Sequence, residues 1–276
     1  MPFRFLPIPF RKERKRSTQP ETRASGVPPE SFPEGIKTWV DNPEAVVDIV
    51  FVHGLTGDRE RTWTHPDAKG IPWPMEFLPS HLPDARILTY GYDAYVLRKH
   101  CPATKNRVSE HARDFLNAIF AYRQGSSTLG RPLIFVVHSL GGIVCKDALL
   151  RSRNAADKHL RDVLECTRGI AFMGTPHTGS ALANWAKLPV ASLGVVKSPN
   201  TSLLSVLQTD SEILSRVHTD FLEMLRVLQK DGHEIEITCF YETLPKPIVG
   251  IVVPRESAIL AGYDFISLHA DHQDMV

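Results

Sequence analysis

Short apolar segments alternate along the chain with segments in which apolar residues recur at helical spacing. Between positions 107 and 125 the apolar residues recur every three or four positions, and Gly125 ends the run as a helix C-cap would. Strands are predicted at 46–54, 85–92, 131–139, 168–176, 234–242 and 247–254. This alternation is typical of an α/β fold with a mostly parallel central sheet and helices on both faces.

The segment between Pro176 and Gly232 interrupts the alternation, because it contains no strand signal. Its second half, 211–230, has the spacing of an amphipathic helix. Its first half, 182–196, is unusually apolar for a surface connection, which fits either a lid over a site or helices packed on the sheet. We therefore predict one α/β domain over 35–276, with a helical insertion at about 176–232.

The first 34 residues differ in composition from this domain. Residues 1–23 contain seven Lys or Arg and two Glu, and three prolines among the first nine residues prevent a regular amphipathic helix. The stretch 19–34 is rich in Pro, Ser and Glu, as linkers are. We expect 1–34 to be a disordered basic arm and linker. The competing interpretation is that residues 1–23 contact an anionic membrane, at about 1 kcal/mol per basic residue.

Charge and cysteine content narrow the classes of protein. The 276 residues carry a formal net charge of +1, which gives no reason to expect nucleic acid as a partner. The four cysteines are far apart and include no Cys-x-x-Cys pair, so free thiols in a reducing, cytoplasmic compartment are expected. No apolar run reaches the roughly 18–20 residues that a membrane-spanning helix needs. The oligomeric state stays open.

A candidate nucleophile lies in the segment 135–146, which reads FVVHSLGGIVCK. A serine between a buried strand and a helix is typical of the sharp turn that exposes the nucleophile of serine hydrolases. Ser139 occupies such a turn, although an ordinary serine at a glycine-rich turn is the alternative. Val137 stands where the usual Gly-x-Ser-x-Gly motif has its first glycine, and a larger residue there is expected to crowd the turn.

A serine nucleophile needs a histidine base and a carboxylate that orients this base. In hydrolases with this turn the acid and then the histidine follow the serine along the chain. The end of the chain offers two histidines, and we favour His272 over His269. The acid is predicted at Glu242, at the end of the strand 234–242, with Glu256 as the alternative.

The oxyanion that forms during acyl transfer needs hydrogen-bond donors. The turn in FVHGLTG (51–57) follows the first core strand, where this kind of fold presents a backbone N–H toward the nucleophile. We predict that the N–H groups of Leu55 and Leu140 form the oxyanion hole. His53 is expected to be a structural hydrogen-bond partner rather than the base.

Four other polar and aromatic residues are expected to have structural roles. His138 is expected to point away from the cleft, since adjacent residues at the turn face different ways. His177 precedes the acid in the chain, so we expect it to cap or line the cleft rather than act as the base. Trp63 and Trp73 are expected in the core rather than in the wall of a pocket.

Five segments together carry a resemblance to known proteins: DIVFVHGLTGDRERTWTH, PDARILTYGYDA, FVVHSLGGIVCKDAL, AFMGTPHTGS and SLHADHQDM. The chain is similar to the lipase-like α/β-hydrolase domains at the N-termini of fungal NOD-like receptor proteins and to the serine-active-site-containing (SERAC-like) proteins. It resembles the inositol deacylases that trim lipid anchors more distantly. The resemblance covers about 46–276.

The resemblance implies an α/β-hydrolase fold with Ser139 as nucleophile, His272 as base and Glu242 as acid, and no metal or organic cofactor. We therefore predict a serine esterase or lipase that cleaves a small-molecule or lipid ester through an acyl-enzyme on Ser139. Val137 and the basic arm motivate a second hypothesis, a signalling or interaction module with little turnover. A third hypothesis is acyl transfer or thioester hydrolysis on the same three residues.

Overall fold

The computed structural model describes residues 34–55, 57–65, 70–93, 107–178, 211–247 and 249–276. The basic arm and the apolar half of the insertion lie outside these residues, and so do the predictions of membrane contact and of a lid. The elements are β1 (Gly35–Val40), β2 (Val47–Val52), a 3-10 turn (Arg61–Trp63), α1 (Trp73–His81), β3 (Ala85–Gly91), α2 (Arg107–Gly125), β4 (Leu133–His138), α3 (Leu140–Asn154), α4 (Lys158–Cys166), β5 (Thr167–Met173), α5 (Ser211–Lys230), β6 (Glu236–Glu242), α6 (Arg255–Ala258) and β7 (Asp264–Leu268).

Seven strands form one sheet in the order β1-β3-β2-β4-β5-β6-β7. β1 runs antiparallel to β3, and the other neighbouring pairs are parallel. The α/β prediction is therefore confirmed. Since all strands from β2 to β7 run the same way, the residues that follow β2, β4, β5 and β6 meet at one edge of the sheet.

The sheet is buried on both faces, as helices on both sides require. Successive residues of β2 face opposite ways, so that Val50 and Val52 join a large core with α2, α3 and α5, while Ile49 and Phe51 join a smaller core. Trp63 is fully buried in the smaller core, and Phe51 meets its ring edge-on at 4.9 Å. The expectation of a core role for this tryptophan is confirmed.

The helices predicted at 107–125 and 211–230 are confirmed as α2 and α5. Nearly every residue of α3 is buried, because this helix contacts the sheet on one side and α2, α4 and α5 on the others. The residue after β4 is therefore held between a buried strand and a buried helix. Among the described residues, no helix is both long and apolar enough to cross a membrane.

The prediction of a strand at 247–254 is wrong. The described residues of this segment form a loop, which an antiparallel bridge joins to Lys246 through Gly250. Pro247 and Pro254, together with Pro245 just before the segment, lack the backbone donors that a strand would need. The last strand is β7 instead, and its position at the edge leaves most of its residues exposed. The loop has another use, because its buried residues Val252 and Val253 reach the site described below.

Candidate active site

Ser139 forms the turn between β4 and α3 and is 3% exposed. Its backbone has φ 57° and ψ −124°, a conformation that residues other than glycine rarely adopt. The Ser139 N–H donates to the carbonyl of Met173 at 2.9 Å, and the Ser139 carbonyl accepts from the N–H of Gly142 at 3.1 Å. Strain of this kind persists where the surrounding structure enforces it, and it is concentrated at functional sites.

Two close approaches hold this turn. A Cβ atom added to Gly141 would lie 2.4 Å from the carbonyl oxygen of His53, so the start of α3 sits directly against the turn after β2. A Cβ atom added to Gly54 would lie 2.6 Å from the Cβ of Ser139 and 2.9 Å from its Oγ. Both positions therefore need glycine, and the His53–Gly54 turn lies in contact with the candidate nucleophile.

Val137 fits the interior although it replaces the usual glycine. It is fully buried in the large core and lies opposite Val52 in one neighbouring strand and Phe172 in the other. The expected crowding is thus avoided, because the larger side chain points into the core.

Glu242 and His272 form a buried hydrogen-bonded pair. Glu242 is the last residue of β6, and its Oε2 accepts from the Nδ1–H of His272 at 2.6 Å. Its Oε1 accepts from the N–H of Val252 and, at 3.2 Å, from that of Val253. Since Nδ1 carries the proton, the Nε2 nitrogen of His272 is the basic one. The alternatives His269 and Glu256 are both exposed.

The histidine lies beside the nucleophile turn. A Cβ atom added to Gly174 would lie 2.9 Å from the Cε1 of His272, and the residue before this glycine, Met173, accepts the hydrogen bond from the Ser139 N–H. The structure therefore brings together Ser139 after β4, Glu242 at the end of β6 and His272 after β7, at one edge of the sheet.

The expectation that His138 points away from the cleft is wrong. Its ring centroid lies 4.9 Å from that of His272, and its Nε2–H donates to the carbonyl of His272 at 2.9 Å. Burial holds the pKa of His138 well below its usual range, so the ring is neutral. Val276 packs against the same smaller core as Val136, so the residues after His272 lie on the face of the sheet that carries both Val136 and His138.

The turn that contains Leu55 is held by His53. The Nδ1–H of His53 donates to the carbonyl of Gly54 at 2.9 Å, and its Nε2 accepts from the N–H of Tyr92 at 3.3 Å. In a trans peptide the carbonyl of one residue and the N–H of the next point in opposite directions, so the Leu55 N–H is directed away from His53. Burial lowers the pKa of His53 to about 4, which keeps this tautomer neutral.

Leu140 is the first residue of α3 and is buried. The first N–H groups of a helix have no acceptor within the helix and carry its positive dipole end. The predicted oxyanion donors thus lie on the two segments that flank Ser139: the turn after β2 and the start of α3.

Comparisons with known proteins identify the kind of domain. No family model matches the chain. It is 30% identical over 251 residues to protein SERAC1 of Danio rerio, covering 84% of this chain and 36% of that protein. It is 28% identical over 245 residues to protein SERAC1 of Homo sapiens, covering 82% of this chain and 35% of that protein. The chain is an α/β-hydrolase domain that resembles SERAC-like proteins. It spans about a third of the length of these curated relatives.

Two solved structures are given as examples of a similar course of the chain. One is a lipase-esterase related protein from Clostridium acetobutylicum, with a TM-score of 0.45 and 12% identity over 86% of this chain and 91% of that one. Another comes from a study of carboxylesterases of Nitrososphaera gargenis, with a TM-score of 0.47 and 10% identity over 87% of each chain. The fold assignment rests on the strand order and on the turn at Ser139.

A pocket of about 280 Å³ adjoins the site of this α/β-hydrolase domain. Its walls come from the turn after β2, from the end of β4 and from the residues that follow His272, and they include Leu55, Asp58, Arg61, His138 and Gln273. The pocket therefore borders Leu55, whose N–H is a predicted oxyanion donor, and Gln273, which follows the candidate base His272. Charged and polar side chains are among its walls.

Proposed function

We propose that this domain is a serine hydrolase that cleaves carboxylic esters through an acyl-enzyme on Ser139. The observation that carries the proposal is the buried pair of Glu242 and His272 beside a serine in a strained strand-to-helix turn. A histidine oriented by a carboxylate is what a serine hydroxyl needs in order to react near neutral pH.

The proposed reaction has two halves, the acylation and the deacylation of Ser139. Ser139 Oγ attacks the ester carbonyl carbon while its proton passes to Nε2 of His272, and the N–H groups of Leu55 and Leu140 donate to the oxyanion. The tetrahedral intermediate collapses, and His272 gives the proton to the departing alcohol. Water then attacks the acyl carbon while its proton passes to His272. The second tetrahedral intermediate collapses by breaking the bond to Ser139 Oγ, which takes the proton back from His272 as the carboxylic acid leaves.

Glu242 has the role of orienting His272 and stabilising its protonated form. Its second oxygen is held by two backbone N–H groups, so the carboxylate has one orientation toward the imidazole. The polar pocket beside Leu55 is the proposed site for part of the ester substrate, and small-molecule and lipid esters both remain candidates.

Covalent labelling with a fluorophosphonate, read by intact mass, tests the proposal. We expect rapid labelling at one site in the wild type, none in Ser139→Ala, and labelling at least about a thousandfold slower in His272→Ala. The matched controls are His269→Ala and Glu256→Ala, which change exposed residues of the same types and should label like the wild type. An unlabelled wild type would refute the proposal and favour an interaction module.

A further inference from the structure

A second polar cluster lies inside the domain, about two helical turns along α3 from Ser139. We call it the Lys146 cluster; it consists of Lys146 on α3, His177 in the turn after β5, His218 on α5 and Cys239 on β6. Lys146 and His177 are each 2% exposed. The mechanism proposed above uses none of these four residues.

The Lys146 ammonium has imidazole nitrogens and aromatic rings around it rather than an opposite charge. Its Nζ lies 2.6 Å from Nδ1 of His177 and 3.5 Å from Nδ1 of His218. It also lies 5.4 Å and 5.3 Å from the ring centroids of Phe172 and Phe221. No carboxylate pairs with it within the described part of the chain.

These contacts fix the state of His177. The protonated lysine can only donate, so Nδ1 of His177 accepts from the ammonium and the imidazole proton sits on Nε2. The Nε2–H then faces Sγ of Cys239 at 3.7 Å. Burial and the charge of Lys146 hold the pKa of His177 well below its usual range, so the ring stays neutral. His177 is therefore held on both sides in a single orientation.

The backbone of His177 connects the cluster to the candidate active site. Its N–H donates to the carbonyl of Ser257 at 2.7 Å, and the Ser257 N–H donates to the carbonyl of Pro254 at 2.8 Å. The two residues before Pro254 are those whose N–H groups hold Glu242. The turn that ends at His177 begins at Gly174, directly against the ring of His272.

Keeping a lysine at this position costs stability. Burial lowers the pKa of Lys146 from its ordinary 10.5 to about 7. The unfolded chain thus binds more protons than the folded one between about pH 7 and 10.5, and stability should rise with pH across this window. A methionine of similar length would avoid this cost. The lysine is therefore better explained by function than by stability.

We propose that Lys146 and His177 are positioning residues, which hold the turn at 174–178 so that His272 and Glu242 keep the geometry that proton transfer requires. This inference rests on the proposed function of the site. Displacement of reacting groups by about 1 Å costs up to about a hundredfold in rate, so a loosened turn should lower kcat more than it changes KM.

The test compares Lys146→Met and His177→Asn with the wild type and with Arg151→Met. Arg151 lies on the same helix and loses hydrogen bonds to Asp147 and Ser109 when it is changed, but these partners lie outside the Lys146 cluster. We expect kcat for a p-nitrophenyl ester to fall about ten- to a hundredfold in the first two variants with KM little changed, and to stay near the wild-type value in the control.

Two further readouts separate positioning from a loss of folding. The Nδ1–H proton of His272 should give a downfield proton NMR signal, which should shift or broaden in both cluster variants and stay in place in Arg151→Met. Lys146→Met should also unfold at a higher urea concentration than the wild type at pH 7. If Lys146→Met does not fold, the kcat and the NMR signal of His177→Asn test the positioning role instead.

The outcomes distinguish this inference from the proposed function. A wild type that neither hydrolyses esters nor reacts with fluorophosphonate refutes the hydrolase proposal, while the downfield signal still reports the pair of His272 and Glu242. A signal and a kcat in Lys146→Met that match the wild type would overturn the positioning role. A shifted signal together with higher stability would support it.

Discussion

Replacing Gly54 by alanine should disable the candidate site with little damage elsewhere. The added Cβ would lie 2.6 Å from the Cβ of Ser139, 2.9 Å from its Oγ and 3.0 Å from the carbonyl oxygen of His138. Carbon atoms in contact are normally about 3.5–4.0 Å apart. The turn after β2 and the nucleophile turn must therefore separate by about 1 Å.

This separation should lower both the stability of the domain and the reaction rate of Ser139. Overpacking by one methyl group in a well-packed interior typically costs about 1–3 kcal/mol of stability. The His138 carbonyl belongs to the backbone of the central strand β4, so the movement falls on Ser139 and on the turn that carries Leu55. A shift of about 1 Å at a reacting group costs about a hundredfold in rate. We therefore expect a large loss of reaction rate in a variant that still folds.

The assay is the rate of fluorophosphonate labelling, with urea unfolding measured on the same samples. The matched control is Gly169→Ala in β5, where the added Cβ would have no neighbour closer than 3.7 Å. We expect Gly54→Ala to label about a hundredfold more slowly than the wild type and Gly169→Ala to label at the wild-type rate. Equal labelling rates in Gly54→Ala and the wild type would refute the placement of this turn against the nucleophile.

Three other predictions concern the candidate acid Glu242, the pH dependence of stability and the buried ion pairs of Asp48. Glu242→Gln should lower kcat by about a thousandfold or more, because the amide stabilises the wrong tautomer of the base; an unchanged pH–rate profile would contradict this. The pKa of His53 is about 4 in the folded state and 6.5 in the unfolded chain, so the unfolded chain binds more protons between these pH values. The free energy of unfolding should therefore be highest above pH 6.5 and fall by about 3 kcal/mol as the pH drops to 4. Urea midpoints measured across this range test the loss. Asp48→Ala should cost about 3–5 kcal/mol, because it leaves the buried Arg86 and Arg123 without their shared carboxylate. The labelling rate of folded Asp48→Ala should match the wild type, because Asp48 lies near the opposite end of its strand from the site.

Local pattern was enough for a large part of the fold. The helices at 107–125 and 211–230 follow from apolar spacing along one segment, and the turn at Ser139 follows from an apolar run that meets two glycines. Strand recognition failed for 247–254, because an apolar composition outweighed its prolines, and for β7, because an edge strand with exposed residues carries little apolar signal.

The sequence by itself determined the α/β architecture, the candidate nucleophile and a short choice of partners for it. Only the tertiary structure decided how those residues are placed: it buries Glu242 and His272 against each other and leaves Glu256 and His269 exposed. It also brought His138 and Lys146 into contacts that no local pattern indicated. The physical reason is that periodicity reports which face of one element is buried, whereas hydrogen bonds between side chains depend on where distant loops meet at the edge of the sheet.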